Sequence, residues 1–169
     1  NFSKQLANFS TEFANSKLKS RRRGPRRTGA MPDRATIVVH KAMSVTALTY
    51  AAPHDTSLGA TLVLAHGAGG DQDSAFMVQF ASGLSALGLR TITFNFLYTE
   101  AGRRVPDRAP KLETCYRSVV EWARKHAEGR PIFIGGKSMG ARVASQLAAE
   151  VGAAGFICFG YPFHPPGKP

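Results

Sequence analysis

From residue 31 onward the apolar positions change period along the chain, and each change marks an element. Ala35–His40 and Ser44–Ala51 are β-rich and separated by few residues, which predicts an antiparallel pair. Thr61–Ala65 is a continuous apolar run. Ser74–Leu87 then has helical spacing through Phe76, Met77, Phe80, Leu84 and Leu87, with Gly88 as the stop signal. Thr91–Phe96 predicts a strand and Tyr98–Pro110, rich in Arg, Gly and Pro, a loop. Lys111–Ala127 predicts a helix with Leu112, Cys115, Val119, Trp122 and Ala123 on its apolar face. The strand Ile132–Gly135, the helix Ser138–Val151 and the strand Gly155–Gly160 complete the pattern.

Strand and helix alternate over short connections, and the inner strands are apolar throughout. That combination predicts an α/β fold: a mostly parallel sheet with helices on both faces. A chain of 169 residues with 43% apolar positions can bury one core. No run approaches the roughly 18 apolar residues of a transmembrane helix, so no membrane partner is expected. Cys115 and Cys158 lack metal or C-x-x-C spacing and read as free thiols of a reducing, cytoplasmic compartment.

Charge separates the first thirty residues from the rest. Lys4, Lys17, Lys19, Arg21, Arg22, Arg23, Arg26 and Arg27 face a single acid, Glu12, so this segment holds most of the net charge of +11. Phe2, Leu6, Phe9, Phe13 and Leu18 recur there at near-helical spacing. Residues 1–30 are read as a basic, disordered or non-native leader, with the domain occupying residues 31–169. An organelle transit peptide is the second reading, which would change the compartment, and a nucleic-acid-binding arm the third. The remainder is only mildly basic, which argues against nucleic acid as a partner.

Candidate chemistry centres on Gly136-Lys-Ser-Met-Gly140, a G-x-S-x-G run between an apolar strand and a helix. Such a turn lifts the Ser138 hydroxyl to the carboxyl edge of a sheet. It also aims backbone N–H groups at the space in front. A phosphate-binding loop would need glycine at position 131, which is proline. A helix-capping serine is the plain alternative. The glycine-rich His66-Gly-Ala-Gly-Gly70 follows the third strand, where a second N–H donor would be required. Together the two motifs predict Ser138 as nucleophile and the Ala68 and Met139 N–H groups as an oxyanion hole. Gly67, Gly69, Gly136 and Gly140 would shape the backbone, and His66 would fix the loop rather than act as base.

From about Ala35 onward the chain resembles small α/β-hydrolases of the dienelactone-hydrolase-like kind. More narrowly, it is similar to a bacterial group with an HGAGG loop, a GGKSMGGR turn and a GYPFHPPGKP segment. These stand here as His66–Gly70, Gly135–Arg142 and Gly160–Pro169, with Ala141 in place of a glycine. The resemblance covers roughly two thirds of such a domain. It implies a Ser-His-Asp hydrolase whose acid and histidine lie on later strands, so the chain is expected to be an incomplete domain.

Downstream of Ser138 stand only one acid, Glu150, and one histidine, His164. Glu150 falls about 18 Å along the helix from Ser138 at the α-helical rise, too far to orient a base. His164 comes too early for a final catalytic loop. Tyr98, Arg103 and Arg104 are placed near the pocket rim, where they could receive an anionic acyl group or simply form a solvated basic loop. Phe163 and His164 could line the pocket entrance, or form a rigid surface turn. His40, His54 and His126 have no partners at ligand spacing.

The expected activity is serine hydrolysis of an ester, thioester or lactone, without cofactor or metal and with a small-molecule carbonyl substrate. This chain alone is expected to be inactive. The alternative is a non-catalytic binding or scaffold module of the same fold. Nothing in the sequence assigns an oligomeric state. An uncovered sixth strand predicts aggregation of the isolated chain.

Overall fold

The computed structural model describes residues 31–161. Strands β1 (Asp33–His40) and β2 (Met43–Tyr50) form the antiparallel hairpin that their β-rich sequences predict. A short 3-10 turn (His54–Thr56) leads to β3 (Thr61–Ala65), every residue of which is buried. Helix α1 (Ala75–Ala86), β4 (Arg90–Phe94), the helical turn α2 (Leu97–Glu100) and α3 (Ala109–Lys125) follow. The described residues end with β5 (Ile132–Lys137), α4 (Met139–Leu147) and β6 (Gly155–Phe159).

The six strands form one sheet in the order β1-β2-β4-β3-β5-β6. β1 and β2 run antiparallel to their neighbours, whereas β4, β3, β5 and β6 pair in parallel. Alternate side chains go to opposite faces, as the two-residue period of a strand requires. Val63, Ala65, Ile92, Phe94, Ile132 and Ile134 join one core with Tyr116 and Val119 of α3 and Val143, Ala144 and Leu147 of α4. On the other face Leu48 and Tyr50 pack with Ala81 of α1. The expected mostly parallel sheet with helices on both faces is what the described residues form.

Element boundaries differ in instructive places. The predicted loop at Tyr98–Pro110 begins instead as the helical turn α2, and α3 begins two residues early with Pro110 in its first turn. Proline suits that position because the first helical N–H has no partner to lose. β4 ends at Phe94 rather than Phe96, and β5 runs two residues further, to Lys137, since β6 still pairs there. The last helix begins after Ser138 and ends at Leu147, not Val151.

One buried side chain ties the two strands that carry the motifs. Tyr116 Oη lies 2.8 Å from the Val63 carbonyl and 2.7 Å from that of Gly135, and accepts the Gly135 N–H at 2.9 Å. Full burial drives the phenol pKa far up, so it remains a donor at all working pH values. Tyr116→Phe is expected to destabilise the fold by about 1–3 kcal/mol, because a buried N–H and its neighbouring carbonyls lose their partner. Chemical denaturation of the two proteins checks this.

Candidate active site

β3 and β5 are adjacent and parallel, so their carboxyl ends bring the His66–Gly70 loop beside Ser138. Ser138 is the single residue between β5 and α4, with φ 51° and ψ −110°. A serine in that region of backbone space is strained. Its N–H donates to the Gly160 carbonyl at 2.8 Å, which anchors the turn to the end of β6. The flanking glycines are needed for space. A Cβ on Gly140 would lie 2.6 Å from both the Ala65 and His66 carbonyl oxygens. One on Gly136 would collide with the Gly140 backbone and sit 2.6 Å from the Ala141 nitrogen.

The loop itself lies against the turn. A Cβ on Gly67 would come 3.3 Å from the Lys137 carbonyl oxygen and 3.6 Å from Ser138 Cβ. Gly70 N–H closes the loop on the Gly67 carbonyl at 3.2 Å, and Gly69 takes φ 69°. Ala68 is exposed at its tip, and Met139 is the first residue of α4. Among the described residues the N–H groups of Ala68 and Met139 have no hydrogen-bond partner. A helix's first N–H groups are left without internal acceptors.

His66 is buried behind this loop. Its Nδ1 is 2.8 Å from the Gly67 carbonyl, an acceptor only, so Nδ1 carries the proton. Nε2 then accepts the Phe96 N–H and the Thr99 hydroxyl, each at 3.3 Å. Both ring nitrogens are therefore occupied in bracing the loop. Burial is the main cause that lowers the His66 pKa, outweighing the Gly67 carbonyl and Asp71. A depressed folded-state value means that the unfolded chain binds the proton more readily. Stability from this group is full above about pH 6.5 and falls as the pH drops below it. The melting temperature is accordingly expected to fall between pH 7 and 5 with a slope that His66→Gln reduces; thermal melts at several pH values check it.

A cavity of about 410 Å³ opens in front of Ser138. Gly67, Ala68 and Gly70 line it from the loop, Ser74, Phe76 and Met77 from the start of α1, and Lys137 and Ser138 from the turn. Among the described residues no carboxylate or imidazole lines it, and Ser138 Oγ makes no hydrogen bond with any of them. Glu150 is exposed and paired with Arg117 of α3, at 2.6 Å from Nε, which keeps it ionised and away from the turn. The residues Phe163 and His164 lie outside those described.

The rim assignment of Tyr98 needs correction, whereas the two arginines fit the solvated basic loop. Tyr98 is fully buried, with its ring edge-on to His66 at 5.9 Å, because the helical turn α2 after β4 folds it into the main core. Arg103 is held at 2.8 Å by Asp107, and Arg104 is exposed. Lys137 was missed as a pocket residue. Its position before Ser138, at a strand end in front of the cavity, was the available signal.

Among the described residues no three His, Cys, Asp or Glu side chains are grouped to hold a metal ion, and no helix is long and apolar enough to cross a membrane. Cys115 and Cys158 are both free thiols, and burial pushes the Cys115 pKa up to about 12.

Solved structures similar to this chain share the fold. An a/b serine hydrolase without a lid from Xanthomonas campestris is 20% identical, with TM-score 0.66, over 80% of this chain and 63% of that one. An alpha-beta serine hydrolase homologue from Coxiella burnetii is 20% identical, with TM-score 0.65, over 76% and 62%. Dienelactone hydrolase from Anabaena variabilis is 17% identical, with TM-score 0.64, over 78% and 65%. The chain thus spans somewhat under two thirds of the length of these proteins. Residues 58–169 match the family model described as the alpha/beta hydrolase domain, which is most of the chain and contains both motif-bearing turns. The chain belongs to the alpha/beta hydrolase family.

Proposed function

We propose that this chain carries the nucleophile and oxyanion hole of a serine hydrolase acting on esters, thioesters or lactones. The observation that supports this most is the strained Ser138 backbone, held between two close-packed glycines beneath a glycine-rich loop and facing a cavity. A serine that merely capped a helix would not require that strain. Ser138 Oγ attacks the substrate carbonyl, and the Ala68 and Met139 N–H groups receive the oxyanion as its charge develops. The ester's alcohol, thiol or ring oxygen then departs with a proton. Water completes the cycle by releasing the acyl group as a carboxylic acid.

His66 is not the base in this scheme, because its Nε2 lone pair is turned toward Phe96 and Thr99. This reading places the base and its orienting acid outside the described residues. Residues 31–169 form part of the hydrolase domain, with residues 1–30 preceding it as a basic leader. A second reading, a binding module of the same fold, has one observation in its favour: no described acid or histidine faces Ser138.

A fluorophosphonate probe on the full-length gene product separates the two. Stoichiometric labelling that disappears in Ser138→Ala is expected. No labelling supports the binding module, and labelling unchanged by that substitution overturns Ser138 as the nucleophile.

A further inference from the structure

Among the described residues Lys137 is the one charged side chain that lines the cavity. It is the last residue of β5, fixed through its pairing with Phe159 of β6 and immediately adjacent to Ser138. Its ammonium lies over the Phe76 ring, 4.7 Å from the centroid. That ring is another cavity wall, so the cation–π contact draws the charge across the mouth of the pocket. The ring is itself braced, stacked on Phe80 at 4.2 Å and edge-on to Phe159. Among the described residues no carboxylate pairs with Lys137, although Arg103, Lys111, Arg117 and Arg130 each have one. The three ammonium donors remain available to a ligand.

We infer that Lys137 is a specificity-determining residue and that the substrate carries a carboxylate near its reacting carbonyl. This deepens the serine-hydrolase reading and rests on it for the word substrate. An acyl chain would lie along Phe76, Met77 and Ala68 with its carbonyl at Ser138. A carboxylate a few bonds away would then meet the ammonium at the cavity mouth. Arg103 cannot serve in this way while Asp107 holds it. The positive end of α4, which begins directly after Ser138, favours an anion on the same side.

Binding of uncleaved amides tests this independently of turnover. N-phenylsuccinamic acid and the neutral N-phenylsuccinamide differ by one charge and resist hydrolysis. Titration calorimetry with the full-length gene product is expected to show about tenfold tighter binding of the acid. The preference should shrink at high ionic strength, since the site is open to water. Lys137→Met should bring the two affinities together, Lys137→Arg should keep the preference and Lys137→Glu should reverse it. Lys137 is exposed, so these variants are expected to fold, which thermal melts check. Equal affinities in the native protein, absence of binding by both amides, or a preference that survives Lys137→Met overturns the inference. Fluorophosphonate labelling is read separately: its loss with the acid preference intact overturns only the role of Ser138.

Discussion

Ser138→Ala is expected to lower ester hydrolysis by the full-length gene product by at least about 10⁴-fold, the scale of losing a serine nucleophile. The structure adds a second expectation that separates chemistry from folding. Ser138 holds φ 51°, ψ −110°, a conformation that L-residues adopt at a cost and glycine adopts freely. Ser138→Gly is therefore expected to abolish turnover equally while raising stability by about 1 kcal/mol. Steady-state kinetics and denaturant melts on both variants check the pair. A serine placed only for packing or capping would lose stability in both variants, and turnover would persist.

Gly140→Ala carries the largest expected effect on folding. The added methyl has backbone oxygens of Ala65 and His66 at 2.6 Å, and neither is the end of a flexible side chain. Relief requires β3 and α4 to separate, which would also draw the His66–Gly70 loop from Ser138. Overpacking that displaces backbone in this way costs about 3 kcal/mol or more. Gly136→Ala meets the same obstacle from the opposite side, against Gly140 and Ala141. By contrast, Gly102→Ala has open space around its Cβ, and only its φ of 69° resists the change. Denaturation midpoints should rank Gly140→Ala and Gly136→Ala well below Gly102→Ala. Equal midpoints would mean that the strands and α4 are not clamped as described.

The sheet and its helices were legible because the two-residue and 3.6-residue periods are distinct here. Leu62–Ala65 and Ile132–Ile134 are apolar at every position, as strands covered on both faces must be. The two glycine-rich turns were legible for a related reason, since each directly follows such a strand. Strand order was not legible: only hydrogen bonding between distant segments places β4 between β2 and β3. Tyr98 was misplaced because the segment that follows it, Thr99–Pro110, is rich in polar and basic residues. Its alternation with Phe94 and Phe96 was the better guide, as all three are fully buried. The bracing of His66 by Phe96 and Thr99 could not be read either, for those contacts cross thirty residues of chain.

The central claim is that Ser138 becomes covalently acylated during turnover. Rapid quenching of the full-length gene product with an activated ester, followed by mass spectrometry of the peptide containing Ser138, tests it most directly. The account predicts one acyl group per protein on Ser138, formed in a burst with the first equivalent of released alcohol. Turnover with no acyl group on that peptide, or with the acyl group on another residue, would contradict it.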